Sequence, residues 1–401
     1  MELKELGTVC DLQNGYAFKS GDYIDSSDTV SLRMSNIRPG GNFDNSYNLR
    51  FLPNSFQNTY SKYIIKDGDL VIAMTDLAND PKILGVPTIV ETGKLNWLLN
   101  QRAGKLLILD NSKADKNYLR YILNHPIHRN YYKKFAGGGL QINVGKKEIL
   151  GCKIPLPPLK TQQKIASILD DAAALRDKTA QLLKEYDLLA QSIFLEMFGD
   201  PFNNQNNFDQ GTIRDLVEEA KYGTSSKAGD EGEFAYLRMN NLTYSGYMDY
   251  AKLKYVDVAE KDFEKYVVRK GDILFNRTNS RELVGKTAIF DSATEMIAAG
   301  YLIRIRLNEL GNPYFVWGYL NSKHGKLILN NMCKNIVGMA NINAQELQNI
   351  KILVPPIELQ NQFAETIALI EQQKALAKQE LQESEDLFNC LLQKAFKGEL
   401  V

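Results

Sequence analysis

The chain has 401 residues, of which 44% are hydrophobic and 24% charged, and its formal net charge is zero. Its length predicts two or more domains, and its composition is that of a globular protein, which excludes a disordered or fibrous chain. No apolar run approaches the ~18 residues that span a bilayer. The 4 cysteines are scattered and form no disulfide framework or CxxC metal motif. We therefore expect a cytoplasmic protein of bacterial type with no membrane partner.

The first globular stretch mixes strand and helix signals. Residues 3–9 carry apolar side chains at helical spacing, and the alternation over residues 29–37 predicts a strand. Asp and Gly supply a turn that leads into a strand within residues 67–72. Residues 118–124 favour a helix, and the glycines within 136–139 favour a flexible loop.

The same order of patterns returns about 200 residues later. Leu237–Leu242 resembles Leu32–Ile37 in sequence, and Asn341–Asn343 resembles Gln141–Asn143. A repeat of this length indicates a duplicated domain and not a solenoid. We place target domains at 1–157 and 201–355, a central helix with its linker at 158–200, and a C-terminal helix at 356–401.

Both helical stretches carry an apolar seam in alternating steps of four and three residues, which is typical of a coiled coil. The seam has a basic residue in the same layer of each stretch, Arg176 and Lys374, to which the sequence assigns no role. At 1.5 Å per residue each helix would be ~55–60 Å long, so we expect the two to pack on each other. The apolar seam positions that we select are Ile165, Leu169, Leu183, Ile193, Phe363, Ile367, Ile370, Leu381, Phe388 and Leu391.

A second apolar series widens the face of the first helical stretch. It consists of Ile168, Leu175, Leu182 and Leu189. We interpret the surplus face as a docking surface for a partner subunit. Contact with the adjacent globular domain is the alternative.

The zero net charge hides a mild asymmetry. Residues 1–157 hold 20 Lys and Arg against 15 Asp and Glu, a net of +5, and residues 201–355 hold 19 against 18. The helical stretches are acidic, with a net of −2 for 158–200 and −4 for 356–401. Basic domains and acidic helices are compatible with DNA on the domains, and ordinary charge scatter is the alternative.

Motifs for catalysis and cofactor binding are missing from the sequence. No Gly-rich phosphate-binding loop follows a predicted strand, so nucleotide or S-adenosylmethionine binding by this chain is unsupported. Asn312–Phe315 lacks the second proline of an amino-methyltransferase loop and better fits the start of a helix. His125, His128 and His324 form no ligand cluster. We expect no catalytic residue, no metal site and no cofactor in this chain.

Several motifs nevertheless point to one family. Each Pro-Pro pair is followed by glutamine (Gln162 and Gln360) and a long helix, Gly-Asp pairs precede strands in both halves, and the chain closes with Phe396–Leu400. Together with the duplication, these motifs resemble the specificity (S) subunit of bacterial type I restriction-modification systems, over essentially the whole chain.

The resemblance implies an α+β fold with two tandem α/β target-recognition domains, each followed by a long helix, and with the two helices forming an antiparallel coiled coil. It implies a non-catalytic subunit whose domains each read one half of a split site in double-stranded DNA. The helices would set the spacing of the halves and hold two methyltransferase (M) subunits. S-adenosylmethionine, ATP and Mg²⁺ would belong to those subunits and to the restriction (R) subunits.

Three sets of polar loop residues are the candidate DNA contacts, because arginine suits guanine, asparagine suits adenine, and glycine lets the backbone approach phosphate. For each residue an ordinary surface polar group is the alternative. The sets are Thr75, Asp76, Asn79 and Lys82 with Asn276, Arg277, Thr278, Asn279, Ser280 and Arg281; Arg33, Asn36 and Arg38 with Arg238, Asn240 and Asn241; and Gly138, Gly139 and Gln141 with Gly338 and Asn341.

Two other classes of function remain open at this point. A self-contained restriction or modification enzyme would need a cofactor or metal motif that the sequence does not contain. A coiled-coil scaffold or adaptor without a DNA role is favoured by the zero net charge.

Overall fold

The computed structural model describes residues 3–136, 139–280, 283–333 and 340–401. It divides into two compact units. Unit 1 is Met1–Lys178 together with Leu381–Val401, and unit 2 is Thr179–Glu380. Each long helix therefore begins in one unit and ends in the other.

Unit 1 contains short strands, short helices and parts of both long helices. Its strands are β1 Leu3–Glu5, β2 Cys10–Asn14, β3 Thr29–Leu32, β4 Phe51–Leu52, β5 Ile64–Ile65, β6 Leu70–Ala73, β7 Thr75–Leu77, β8 Pro87–Ile89, β9 Asn96–Leu99, β10 Ala103–Ile108, β11 Gln141–Asn143 and β12 Lys153–Pro155. Its helices are α1 Phe56–Thr59, α2 Lys116–Leu123, α3 Pro126–Lys133, α4 Lys146–Leu150 and the first part of α5 Leu159–Phe198.

Unit 2 repeats this order of elements. Its strands are β13 Asp209–Thr212, β14 Val217–Tyr222, β15 Phe234–Leu237, β16 Lys254–Val256, β17 Val267–Val268, β18 Ile273–Asn276, β19 Thr278–Asn279, β20 Thr287–Ile289, β21 Met296–Ala298, β22 Leu302–Leu307, β23 Ala340–Asn341 and β24 Lys351–Val354. Its helices are α6 Ile213–Leu216, α7 Glu260–Tyr266, α8 Pro313–Asn321, α9 Lys323–Met332, α10 Ala344–Gln348 and the first part of α11 Ile357–Lys397.

The strand pairings of the two units match one for one. Unit 1 has an antiparallel sheet in the order β2-β10-β6-β8, a mixed sheet β4-β3-β9-β5, and the pairs β1-β12 and β7-β11. Unit 2 has β14-β22-β18-β20, β16-β15-β21-β17, β13-β24 and β19-β23. In each mixed sheet one pairing is parallel, β3 with β9 and β15 with β21. The predicted duplication is therefore present at the level of strand order.

A fully buried strand separates two apolar cores in each unit. In β6, Leu70 and Ile72 pack into one core, whereas Val71 packs into the other. In β18, Ile273 packs into one core and Leu274 into the other. Since successive side chains of a strand point to opposite faces, a strand buried on both faces has a continuous apolar sequence.

A buried glutamine ties the start of each long helix to its own unit. The side-chain amide of Gln162 donates to the carbonyls of Lys113 and Pro157 at 2.9 and 2.7 Å and accepts from the Asp115 N–H at 2.9 Å. Gln360 makes the equivalent three bonds in unit 2. Both side chains are fully buried, so the bonds replace water that the amide would otherwise bind. This is the physical role of the glutamine that follows each Pro-Pro pair.

The structure confirms the predicted α+β class and corrects two local predictions. Residues 3–5 form a strand, not a helix, because they pair with β12. The predicted strand over residues 29–37 ends at Leu32, since the Asn36 side chain accepts from the Arg33 N–H at 3.0 Å and holds a short 3-10 turn there. The domain limits at residues 157, 200 and 355 remain predictions. Among the described residues, no helix is long and apolar enough to cross a membrane.

Candidate nucleic-acid interface

A two-stranded ribbon in each unit brings together two of the three predicted sets. In unit 1, β7 pairs with β11, so Thr75 lies opposite Asn143. In unit 2, β19 pairs with β23, so Thr278 lies opposite Asn341. Asn341 is therefore the counterpart of Asn143, and the sequence match that aligned it with Gln141 was wrong by two residues. Each threonine hydroxyl donates to the side-chain oxygen of the facing asparagine, at 2.7 Å in unit 1 and 3.3 Å in unit 2. Residues some 65 positions apart along the chain are thus joined side by side in each unit.

In unit 2 this ribbon borders an open cleft of about 540 Å³. The cleft also includes Arg238 and Asn240 of the second predicted set, so residues from distant loops converge on one concave surface. Arginine, amide, hydroxyl and aromatic groups share its lining, and these are the side chains that contact bases and phosphates. The lining is formed by Thr224, Ser225, Ser226, Ala228, Tyr236, Arg238, Met239, Asn240, Arg277, Thr278, Ala299, Gly300 and Tyr301.

Arg277 is held by two contacts at the edge of the cleft. Its Nε donates to the Asn341 Oδ1 at 3.2 Å. Its guanidinium lies 4.7 Å from the centre of the Tyr222 ring, within the range of a cation–π contact. The Tyr222 hydroxyl in turn accepts from the Ala344 N–H at 2.9 Å, which orients the ring. A guanidinium held in this way loses little further conformational freedom when it binds a base.

Arg238 and Asn240 follow strand β15 and line the same cleft. Arg238 is half-buried and donates through Nη2 to the Lys252 carbonyl at 2.9 Å, whereas Asn240 is exposed. The Thr224–Ser226 loop lines the same cleft. The Tyr236 hydroxyl donates to the Thr224 carbonyl at 2.7 Å, and the Thr224 and Ser226 hydroxyls lie 2.8 Å apart.

Asn36 and Asn241 have a structural role in their units. Each is 2% exposed. The Asn36 amide accepts from the Arg33 N–H and donates to the Asp44 and Tyr47 carbonyls. Asn241 accepts from the Arg238 N–H and donates to the Asp249 carbonyl at 2.8 Å. Because these bonds occupy the buried amide groups, each asparagine holds its own loop and is not available to a base.

Three further predicted residues are also buried. Thr75 and Asn276 lie inside their units, and the Asp76 carboxylate accepts from the backbone N–H groups of Leu77, Ile83 and Leu84. Asp76 therefore shapes the loop that follows β7 and is not presented to a ligand. The polar loop signal in the sequence located the right segments, but it could not separate side chains that build a loop from those that extend from it.

The other predicted residues of unit 1 are accessible. Asn79, Lys82 and Gly139 are exposed, and Arg33, Arg38 and Gln141 are half-buried. Lys82 faces Asp80 at 3.4 Å, and the Arg38 guanidinium lies 4.3 Å from the centre of the Tyr47 ring. Asn279 of unit 2 is half-buried, and its amide oxygen accepts from the Ser280 N–H at 2.9 Å. Gly138, Arg281 and Gly338 lie outside the described residues.

Two lysines lie beneath the loops of unit 2. The Lys286 ammonium donates to the Leu242 carbonyl at 3.0 Å, and Lys326 donates to the Gly285 carbonyl at 3.4 Å. Burial lowers the pKa of Lys286. Burial, and then the nearby Lys286, lower the pKa of Lys326 to about 8. The two lysines therefore hold the backbone at Leu242, next to Met239–Asn241, and at Gly285, a few residues after the loop 277–280.

Sequence reasoning missed three contributors to the cleft, namely Tyr222, Tyr301 and the run Thr224–Ser226. A signal for the last was present, because a Thr-Ser-Ser run directly after Tyr222-Gly223 is a polar loop of the same kind as Asn276–Ser280. The two tyrosines belong to strand ends and give no signal by composition. Tyr222 and Tyr301 can be recognised as site residues only in the structure, where both contact Arg277.

The predicted seam of the long helices is buried in part. Ile165, Leu169, Phe363, Ile367 and Ile370 are buried, whereas Leu183, Ile193, Leu381, Phe388 and Leu391 are half-buried. Phe194 and Leu392, each one position away from the predicted seam, are buried in place of Ile193 and Leu391. Within unit 1, Ile165 and Leu169 share a core with Leu392 and Ala395. Within unit 2, Ala190 and Phe194 share a core with Phe363, Ile367 and Ile370. In both units an early part of one helix packs on a late part of the other, which is the antiparallel order. The widened face of α5 is mixed, since Leu175 and Leu189 are exposed whereas Ile168 and Leu182 are half-buried.

The two basic seam residues are held differently. The Lys374 ammonium is 4% exposed and lies 2.8 Å from Asp187 and 3.0 Å from Glu371. Arg176 is more accessible, pairs with its neighbour Asp177 at 2.7 Å and lies 5.0 Å from the centre of the Phe388 ring. Burial acts to lower the pKa of Lys374, but hydrogen bonds with Asp187 and Tyr247 outweigh it and raise that pKa.

The duplicated ribbons, the polar cleft and the paired helices define a nucleic-acid recognition protein built from a repeated unit. Within the described ranges, no cluster of His, Cys, Asp and Glu could hold a metal ion. The model of the type I restriction modification DNA specificity domain family matches residues 1–185 and 206–385. The chain belongs to this family and is a DNA-recognition subunit, not a catalytic one. Specificity subunits of type I systems work with methyltransferase and restriction subunits and with DNA.

Relatives and solved structures agree with this membership. The chain is 24% identical over 426 residues to the type I restriction enzyme EcoKI specificity subunit of Escherichia coli (strain K12), covering 98% of this chain and 88% of that relative. It is 29% identical over 169 residues to the MjaVIII specificity subunit of Methanocaldococcus jannaschii, covering 42% and 38%.

Two solved structures share the fold. One comes from a study of the structural basis of complex assembly and conformational transition of the type I R-M system. Its alignment with this chain has a TM-score of 0.57 at 18% identity and covers 100% of this chain and 98% of the solved chain. The S subunit of M. genitalium has a TM-score of 0.53 at 17% identity, with 98% and 96% covered.

Proposed function

We propose that the chain reads a bipartite site in double-stranded DNA, one half with each unit. The observation that carries the proposal is the repeated ribbon, because the same Thr–Asn pair joins distant strands in both units. Two copies of one ribbon on one chain are suited to two half-sites separated by a spacer. The side chains that extend from the two ribbons differ, which is what an asymmetric site requires.

Within unit 2 the proposed contacts come from the cleft. Arg238, Asn240, Arg277, Thr278 and Asn341 present donors and acceptors to base edges or phosphates. Tyr301, which is 52% exposed, adds an apolar surface at the rim. Within unit 1 the proposed contacts are Arg33, Arg38, Asn79, Lys82, Gly139 and Gln141.

Methyltransferase subunits are the proposed occupants of the exposed apolar positions on the long helices. Leu175, Leu188 and Leu195 on α5 and Leu369 and Leu376 on α11 all have about half of their side chain exposed or more. Exposed leucines repeated along a helix are typical of a protein interface. Two such subunits per chain would follow from the twofold repeat. They and the restriction subunits would carry S-adenosylmethionine, ATP and Mg²⁺, and the complex would act in the bacterial cytoplasm, where its DNA is.

A gel-shift assay with the chain and its methyltransferase subunits tests the proposal. The probes are duplexes that carry the methylated motif of the host, the same motif with one half scrambled, and the motif with a changed spacer. We expect salt-sensitive binding to the intact motif and a large loss of affinity for the other two duplexes. Equal binding of all three would reject the proposal and favour a scaffold without a role in sequence recognition.

The helices are the proposed determinant of the spacer. Deleting one heptad between residues 165 and 193, together with its counterpart between 363 and 391, keeps the seam in phase. Seven residues correspond to about 10 Å of helix, so the spacer should shorten by about three base pairs. Mapping of methylated sites in cells that carry the deletion gives the new spacer, and an unchanged spacer would contradict the proposal.

A further inference from the structure

The two ribbons share a framework in which the Thr–Asn pair has equivalent neighbours. In unit 1 the Met74 N–H donates to the Arg102 carbonyl at 3.0 Å, and the Met74 carbonyl accepts from Val144 at 2.9 Å. In unit 2 the Arg277 N–H donates to the Tyr301 carbonyl at 3.0 Å, and the Arg277 carbonyl accepts from Ile342 at 2.9 Å. Met74 and Arg277 therefore occupy the same place in the repeat.

At this shared position the side chains differ in kind. Met74 is 7% exposed and packs into the apolar core of unit 1. Arg277 is half-buried and lines the cleft of unit 2. The backbone framework is thus common to the two units, and the side chain placed on it is the variable part. A variable side chain on a common framework is suited to giving the two half-sites different sequences.

The orientation of Arg277 leaves its outer nitrogen atoms available. Within the described part of the chain, the hydrogen bonds of its guanidinium involve Nε alone, which donates to Asn341. The Thr278 hydroxyl donates to the same Asn341 oxygen at 3.3 Å and so fixes that amide. Stacking on Tyr222 restrains the plane of the guanidinium. Nη1 and Nη2 are thereby presented as a pre-oriented pair of donors.

We infer that Arg277 reads a guanine in the half-site bound by unit 2, with Asn341 and Tyr222 as positioning residues. Two donors in one plane match the O6 and N7 acceptors on the major-groove edge of guanine, and no other base presents that pair. Unit 1 has methionine at the equivalent position, so its half-site is read without an arginine there. The inference rests on the proposed function and goes further by assigning one residue, Arg277, to one base of the half-site.

The test is methylation-site mapping with the complete complex, in which base preference is measured at each position of the site. Arg277→Lys keeps the charge but loses the two-donor plane, and Arg277→Met introduces the residue of unit 1. Arg277→Met should lower discrimination for guanine at one position of one half-site by roughly 5- to 150-fold. Arg277→Lys should lower it less, because an ammonium still donates to O6 and N7 but without a fixed plane. The other half-site should be unchanged in both variants. Arg214→Lys, on an exposed arginine of α6 in the same unit, is the matched control and should leave every position unchanged.

The positioning role has its own pair of variants. Asn341→Ala removes the oxygen that holds Nε and should relax the same guanine position, whereas Asn341→Asp keeps an oxygen acceptor and should restore the preference. A structural defect alone would weaken binding to all sites and would not be confined to one base.

The outcomes separate this inference from the function on which it rests. If the unmodified complex selects a bipartite site and both Arg277 variants keep every base preference, the inference is wrong and the function stands. A uniform loss of affinity at all positions would also overturn the inference, because it would identify Arg277 as a phosphate contact. If the unmodified complex selects no site, the proposed function itself fails.

Discussion

Replacement of Lys374 by methionine tests what the basic residue of the helix seam does. The ammonium is buried, and its carboxylate partners Asp187 and Glu371 are 45% and 33% exposed. Its Nζ also lies 3.5 Å from the centre of the Tyr247 ring. Methionine fills a similar volume, so the change removes the charge and its contacts without opening a large cavity.

The expected loss follows from these contacts. Hydrogen bonds to charged groups contribute about 1.5–3 kcal/mol each, but carboxylates that water still reaches lie at or below the lower end. A cation–π contact contributes about 0.5–2 kcal/mol, and removing the buried ammonium recovers part of its desolvation cost. We therefore expect Lys374→Met to lower the stability of unit 2 by about 1–3 kcal/mol. Hydrogen exchange of unit 2 amides measures that free energy.

A double-mutant cycle with Asp187→Asn isolates the pair, and we expect a coupling energy of about 0.5–2 kcal/mol. The pKa of Lys374 is raised in the folded chain, so its contribution is complete below the unfolded value of about 10.4 and is lost only at higher pH. The coupling should therefore be equal at pH 7 and pH 9. Arg176→Met is the comparison, with an expected change of less than about 1 kcal/mol. Equal losses at Arg176 and Lys374, or a coupling near zero, would refute the reasoning.

Three further outcomes follow from buried polar groups. Gln162→Ala should lower the free energy of unfolding in urea by about 2–4 kcal/mol, because the three backbone groups that bond to Gln162 lose their partner. Gln163→Ala, on the exposed neighbour, is the control and should change stability by less than about 0.5 kcal/mol. Similar values for the two variants would contradict the structural role of Gln162. Asn241→Ala should lower the stability of unit 2 by about 1–3 kcal/mol yet leave the base preference in methylation-site mapping unchanged. A changed preference at one base would instead identify Asn241 as a DNA contact. Burial, and then His125, lower the pKa of His128 to about 4, below its unfolded value near 6.5; the folded chain therefore loses up to about 3 kcal/mol as pH falls through that window. His128→Asn should flatten the pH dependence of hydrogen exchange in unit 1, and identical profiles for both proteins would count against this assignment.

The sequence predicted features that depend on local spacing. The seam of the helices, the duplication and the polar segments all appear as periods or repeats. The structure has the duplication and the early part of each helix seam where they were predicted, but the buried line shifts by one residue, to Phe194 and Leu392, in the later part of each helix. Strand β1 was mistaken for a helix because its spacing is local but its pairing with β12 spans 150 residues. A pattern within one segment does not show which distant strand will pair with it.

The candidate nucleic-acid interface was predictable only in part, for a similar reason. Polar residues in loops were found, but Asn36 and Asp76 turned out to hold their own loops, and this depends on backbone groups that adopt their positions only in the fold. Tyr222 entered the site because strand β14 ends beside Arg277. Which polar group faces a ligand is a property of packing, and a single sequence does not encode it in composition or spacing.

Unit 1 is assembled from both ends of the chain, and this has a consequence for synthesis. Its apolar core includes Leu392 and Ala395, which leave the ribosome after all of unit 2 has been made. The unit begun first is therefore completed after unit 2, and Ile165 and Leu169 lack their helix partners until residues 392–395 have been made. A premature stop after Glu380 would leave every residue of unit 2 in place but would remove the part of α11 that belongs to unit 1. Quality control of a truncated product would thus act on the apolar surface of unit 1 that Leu392 and Ala395 otherwise cover.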